Sequence, residues 1–321
     1  MDFHRAANLM RSAATLALLS AVLTHVATSQ AQTNEAELTD DQEQHRFVVP
    51  TTRDGIGRIV ANVMINGSGP FRFVVDTGAT HSAVSKPLAE KLNLANQKAG
   101  APSVLLSGVT GSAQVAIVRV ESLEVGKLSL GPLDMPVIEA VLADADGVLG
   151  ADAMEDSRLT IDFKNDRILI EKSSFQAAPR YFYTVPVRFG FGRLLLADAT
   201  IGKVRVKAII DTGAQRTLGN ISLRNALRIG RDSARGLFST DVEGVTADLQ
   251  PGDVAAAPTL SMGAIKIGQT DITFGDLHVF KVWGFQRRPA VLIGMDVLGV
   301  LDMLIIDYRR KELQVLPAQA G

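Results

Sequence analysis

The sequence predicts a mainly β protein made of two similar lobes. Three observations carry this. The chain repeats itself at a displacement of 135 residues or slightly more, short branched-rich strands alternate with glycine turns, and helix-forming stretches are few and short. A length of 321 residues suits two copies of one unit of ordinary size.

The repeat is read first. A shift of 135 aligns Gly55–Leu94 with Gly190–Ile229 without a gap, matching Gly55, Gly57 and Arg58 to Gly190, Gly192 and Arg193, and Gly67 to Gly202. The same shift superposes Asp76-Thr77-Gly78-Ala79 on Asp211-Thr212-Gly213-Ala214, and Leu88 and Leu92 on Leu223 and Leu227. Further on, Gly108-Val109-Thr110 pairs with Gly244-Val245-Thr246 at a shift of 136, and Gly126 and Gly131 with Gly263 and Gly268 at 137. Val148-Leu149-Gly150 and Asp152 then pair with Leu292-Ile293-Gly294 and Asp296 at 144. Insertions in loops between fixed elements produce such a drift. The lobes are expected over 46–172 and 181–317, joined by a short polar linker over 173–180.

Within each repeat, Val60–Ile65 followed by Asn66-Gly67 predicts a hairpin. Phe71–Val75 and Val206–Ile210 are apolar strands leading straight into an aspartate. Ser85 and Asn220 are N-caps for short helices in KPLAEKLNL and ISLRNALRI. Val115–Val120 and Ile161–Ile170 read as further strands. Gly55-Ile-Gly57 and Gly190-Phe-Gly192 lack the third glycine and the following helix of a dinucleotide fingerprint, and are read as hairpin turns.

Composition narrows the chemistry. With 46% hydrophobic and 21% charged residues, wholesale disorder is excluded. A net charge of -1 gives no electrostatic case for a nucleic-acid partner. The absence of cysteine excludes disulfides, thiolate zinc sites, a cysteine nucleophile and a lipidated N-terminal cysteine. Of five histidines, His4 and His25 fall in the N-terminal segment, so no metal site is expected. In that segment Arg5 and Arg11 precede an apolar run, Ala13–Ala27, too short to span a membrane, and Ser29-Gln30-Ala31 offers small residues for a signal peptidase. Residues 1–31 are read as a secretory signal, with an uncleaved anchor as the alternative, and 32–45 as an acidic flexible tail. The expected location is periplasmic or secreted, with no stable membrane insertion after cleavage.

The chemistry points to FVVDTGATHS and AIIDTGAQRT. A buried strand ending in Asp-Thr-Gly sets a carboxylate where apolar protein meets a cleft, and the glycine lets the backbone turn beside it. One such tripeptide arises by chance in roughly one chain of this length in 25, but two at matching places in two repeats do not. The mere strand-end turn is therefore the weaker reading of the pair. His81 is read as a solvated loop residue, Trp283 and Phe285 as core or rim packing, and Asp162 and Asp307 as strand-end acceptors of turn hydrogen bonds.

These residues resemble the aspartic proteases of the pepsin and retropepsin clan, and the retropepsin branch more closely, as a single bacterial-type chain with two retropepsin-like repeats. The resemblance rests on strand-Asp-Thr-Gly-Ala, on a glycine-containing hairpin about 30 residues later, at Ser107–Ser112 and Asp241–Ala247, and on Val148-Leu149-Gly150 and Leu292-Ile293-Gly294. It implies two retropepsin-like β-barrel lobes related by pseudo-two-fold symmetry, with a cleft between them. It implies Asp76 and Asp211 as the catalytic pair, braced by Thr77 and Thr212 and shaped by Gly78 and Gly213. Flap candidates are Gly108, Val109, Thr110 and Gly111, with Gly244, Val245 and Thr246. The tyrosine of pepsin flaps is missing from both. The implied activity is endopeptidase hydrolysis of a peptide or protein, with no cofactor or metal, an acidic to near-neutral optimum, and a monomer holding both aspartates. Two competing readings are a catalytically weak peptide-binding module on the same fold and an actin-like phosphotransferase, which also carries Asp-x-Gly loops in paired domains. The second is disfavoured by scarce helices and by the absence of a nucleotide-binding glycine pattern.

Overall fold

Alternating burial and a two-residue turn build the hairpin that opens each lobe. In a computed structural model describing residues 49–50, 52–53, 57–94, 102–126, 128–139, 145–230, 238–246, 248–268 and 270–318, Ile59–Ile65 pairs antiparallel with Ser68–Val75. Asn66 and Gly67 between them take φ of 49° and 74°, the left-handed pair that matches strand twist. Leu194–Ile201 and Val204–Ile210 repeat this hairpin around Gly202. The expected signal (1–31) and acidic tail (32–45), with Gly55 and Ala247, lie outside the described residues.

The predicted caps start helices. Ser85 Oγ accepts from the Leu88 N–H (3.3 Å) at the head of α1, Lys86–Lys91. Asn220 Oδ1 accepts from the Leu223 N–H (2.8 Å) at the head of α2, Ile221–Ala226. Leu88 and Leu223 seat these helices in the core. The seven residues by which the second repeat is longer, as the shift grows from 137 to 144, fall around α3, His278–Val282. A last helix, α4, covers Met295–Leu298, where the first lobe has a single 3-10 turn at Ala151–Met154.

Seven strands follow one another across the sheet in the same spatial order in both lobes. In the first lobe they are Ser103–Ser107, Ser112–Val120, Leu133–Ile138, Ala83–Ser85, Gly147–Leu149, Ser68–Val75 and Ile59–Ile65. In the second they are Phe238–Glu243, Leu249–Ala257, Thr270–Gly275, Leu218–Asn220, Ala290–Ile293, Val204–Ile210 and Leu194–Ile201. The apolar-apolar-glycine motif explains why. Leu149 lies parallel beside Val75, and Ile293 beside Ile210, while each motif strand runs antiparallel to the short strand beyond its aspartate loop. The motif strands Gly147–Leu149 and Ala290–Ile293, and the strand ends beside them, Phe73–Val75 and Ala208–Ile210, are buried and mostly apolar, as strand segments covered on both faces must be.

The halves join in a shared antiparallel sheet. Arg167–Lys172 and Ser157–Asp162 come from the first half, Leu301–Asp307, Glu312–Pro317 and Tyr183–Gly190 from the second, and Val49–Pro50 adds an outer strand. At the seam Thr160 faces Ile305. Beside it Arg158 and Asp307 form a buried ion pair at 3.1 Å, with side chains 5% and 0% exposed. Gln314 accepts from Arg158 (2.8 Å), and Asp307 accepts from Ser173 Oγ (2.8 Å) and the Arg310 N–H (2.9 Å). The stretch Ile161–Ile170 is two strands rather than one. Asp162 accepts from the Asn165 N–H (3.0 Å) and Asp166 takes a φ of 48°, which turns the chain back.

The fold is therefore mainly β, with two lobes of the same strand order. Its described strands lie in two sheets, without the ring closure of a barrel. Among the described residues no helix is long and apolar enough to cross a membrane.

Candidate active site

Each aspartate is rooted where its strand meets the motif strand. The Asp76 N–H donates to the Leu149 carbonyl and the Asp211 N–H to the Ile293 carbonyl, both at 3.0 Å. Past the aspartate the chain folds back on the carboxylate. Gly78 and Ala79 amides donate to Asp76 Oδ1 (2.8 and 2.9 Å), and Gly213 and Ala214 amides to Asp211 Oδ1 (2.8 and 3.0 Å). A Cβ on Gly78 would run into the Asp211 carboxyl, and one on Gly213 into that of Asp76. Each carboxyl thus lies over the other repeat's glycine, close enough for the two to interact directly.

The threonines hold this contact from below. Thr77 Oγ1 donates to the Ile210 carbonyl (2.7 Å) and accepts from the Thr212 N–H (3.1 Å). Thr212 Oγ1 donates to the Val75 carbonyl (2.6 Å) and accepts from the Thr77 N–H (3.1 Å). Both side chains are fully buried, so all four bonds are sheltered from water.

Electrostatics separate two otherwise matched carboxyls. Burial pushes the Asp211 carboxyl well above the usual carboxylate range, and the neighbouring Asp76 charge pushes it further. Burial also raises Asp76, and interactions with Asp211 and with the Gly78 and Ala79 amides, then the Arg58 charge, pull it only part of the way back, so it too stays above its ordinary value. Arg58 is buried, whereas its repeat counterpart Arg193 is turned outward to Glu155 (2.5 Å). Both carboxyls are held up and titrate as one pair, with the Arg58 charge acting on the Asp76 side. Burial, and then the Asp76 charge, hold the Tyr308 hydroxyl far above its ordinary range, so it stays protonated and donates to Met154 Sδ (3.6 Å).

A second layer of braces escaped the sequence reading. Asp152 accepts from the Ser82 N–H and Oγ (2.8 and 2.7 Å), and Ser82 Oγ accepts from the Gly150 N–H (3.0 Å). Asp296, Thr217 and Gly294 repeat this at 2.9, 2.7 and 3.1 Å. A Cβ on Gly150 or Gly294 would meet the backbone of His81 or Arg216, which fixes the motif glycine. The signal was present in the repeat, since Asp152 matches Asp296 and the shift of 135 sets Ser82 on Thr217.

The first lobe's hairpin packs with the clusters that hold both carboxyl loops. Gly108, Val109, Thr110 and Gly111 form the turn between Ser107 and Ser112, closed by the Gly108 N–H on the Gly111 carbonyl (2.8 Å). In the second lobe Asp241–Glu243 pair with Leu249–Pro251, and the turn of this hairpin follows from Gly244. Leu106 packs in a cluster with Ala79, while Val109 crosses to a cluster containing Ala214. The tips meet, with Thr110 and Thr246 hydroxyls 3.4 Å apart and Val245 beside Gly108. His81 is solvated, its Nδ1 3.8 Å from Asp152, and does not reach the carboxyls. Trp283 and Phe285 are buried in the second lobe's cluster, with Phe191 against both rings. Among the described residues no group of three or more His, Asp or Glu side chains is placed to share a metal ion.

A family model for aspartyl proteases matches residues 61–153 and 197–297, more than half of the chain and once per repeat. The chain belongs to the aspartyl protease family, with two retropepsin-like repeats. Comparison with curated proteins finds no match.

Proposed function

We propose that this chain is an aspartic endopeptidase whose reacting groups are Asp76 and Asp211. The observation that carries this reading is the meeting of two carboxyls from different repeats, each lying over the other's glycine. Two carboxyls this close do not both ionise cheaply, so the pair keeps one proton; the handling of such pairs in aspartic proteases is the known precedent for this effect. Asp76, the charged member, takes a proton from a water between the two. The resulting hydroxyl adds to the substrate's peptide carbonyl carbon while Asp211 gives its proton to the carbonyl oxygen. The tetrahedral gem-diol then collapses: Asp76 gives the proton it took from water to the peptide nitrogen, a diol hydroxyl returns a proton to Asp211, and the C–N bond breaks to release an amine and a carboxylic acid, so no acyl-enzyme forms and the pair regains its starting state. Thr77, Thr212, Gly78 and Gly213 hold the geometry, and Gly108–Gly111 with Gly244–Thr246 cover the peptide. No cofactor enters the scheme, and both halves act within one monomer, secreted or periplasmic.

Cleavage of a mixed peptide library between pH 3.5 and 7 is the test. Internal cleavage that fails at both extremes of proton loading is expected. The alkaline limb falls above the ordinary aspartate range, because Asp211 is held there. A second reading, peptide binding without turnover, draws on hairpins that carry no tyrosine. Saturable peptide binding with every peptide intact would establish it.

A further inference from the structure

The two hairpins above the carboxyls are not held alike, and the difference lies in the helix that the second repeat inserts. The first amides of any helix lack partners within it. In α3 they are taken by the hairpins. The His278 N–H donates to Gln250 Oε1, on the second lobe's hairpin, at 3.0 Å. The Val279 N–H donates to the Val109 carbonyl, at the tip of the first lobe's hairpin, at 3.2 Å. His278 Nε2 lies 2.8 Å from Ser112 Oγ, which in turn lies 2.8 Å from Ser107 Oγ across the same turn. The Val109 side chain packs against the apolar cluster to which Leu277, Val279 and Phe280 belong. One short helix therefore grips a backbone carbonyl, a hydroxyl and an apolar side chain of a hairpin belonging to the other lobe.

We infer that α3 is a positioning element, which seats the first lobe's hairpin on the second lobe's wall through His278 and Val279. A peptide reaches the carboxyls when Val109 and Ser112 are released, and is held when they reseat. The tether stands on geometry alone; its effect on catalysis rests on the endopeptidase reading above. None of these side chains touches the reacting carboxyls, so their part is to place the hairpin.

The experiment compares wild type with Ser112→Ala, His278→Ala and His278→Gln by amide hydrogen exchange over 103–112 and by peptide hydrolysis. Each alanine variant should speed exchange in the hairpin about fivefold, the worth of one ordinary hydrogen bond. KM should rise by a similar factor with kcat within about twofold, since a cover that holds substrate and transition state alike acts on binding. His278→Gln, whose amide can still reach Ser112, should restore both. As a second variant, Gln250→Ala should speed exchange in 238–254 and leave 103–112 unchanged. Unaltered exchange in both alanine variants overturns the tether. Faster exchange with unchanged KM overturns the positioning role. A wild type that cleaves no peptide, with faster exchange in the variants, supports the tether and overturns the endopeptidase reading.

Discussion

Beneath the two carboxyls the molecule is nearly symmetric; above them it is not. Below, the bonds that brace the two aspartate loops come in twins. Thr77 and Thr212 exchange identical contacts, and Ser82–Asp152–Gly150 is reproduced by Thr217–Asp296–Gly294. Above, α3 holds the first lobe's hairpin, and an aromatic cluster of Phe191, Phe280, Trp283 and Phe285 backs it on one side only. The lower part has one geometric task, to bring two like acids together, and both repeats contribute to it equally. The upper part meets a peptide, whose two ends differ, so nothing keeps its halves equivalent.

The largest test of this contrast lies at the seam that makes the lower part possible. Arg158→Ala leaves Asp307 charged and buried without its partner, and should cost about 3–5 kcal/mol in urea unfolding. A loss near zero would mean the seam is not what joins the halves. Next come Thr77→Val and Thr212→Val. Each orphans one buried carbonyl and one buried amide, at about 2–4 kcal/mol. The two losses should agree within about 1 kcal/mol, and a wide gap between them would break the symmetry of the lower part.

A smaller effect tests the charge asymmetry. Asp211 titrates higher in the folded chain than in the unfolded one. The folded chain thus keeps a proton that the unfolded chain has already lost. That contribution is fully present below the unfolded pKa and disappears as pH rises through the folded value. Asn at 211 is neutral at every pH and can still donate to Asp76. Asp211→Asn should therefore raise Tm at about pH 7, with the gain fading toward about pH 4. A gain that grew on acidification would reverse the assignment. The smallest effect concerns the upper part. Val109→Ala should raise KM about threefold, Val245→Ala less, because only Val109 enters the apolar cluster under α3. Equal effects would remove the asymmetry.

Much of the lower part was legible in the residues. Two Asp-Thr-Gly loops after apolar strands, two capped helices and two apolar-apolar-glycine motifs each have a local reason, and the repeat doubled every signal. Asn66-Gly67 announced its hairpin because few other pairs accept two positive φ values. What stayed hidden was long-range. Arg58 and Arg193 are the same residue in the repeat, yet one is buried near Asp76 and the other pairs with Glu155. Nothing local distinguishes them. The helix α3 appeared only as a seven-residue drift in alignment, and its partners Val109 and Ser112 lie more than 160 residues away. The hairpin within Ile161–Ile170 was missed because its turn, Phe163–Asp166, carries no glycine or proline.

The most direct measurement is the initial rate of peptide hydrolysis by Asp76→Asn and Asp211→Asn, each beside wild type, with circular dichroism to verify folding. Both variants should fold and both should lose activity by about a thousandfold, since neither acid can replace the other. A folded variant of either kind that kept most of the wild-type rate would show that the two acids do not act as one unit.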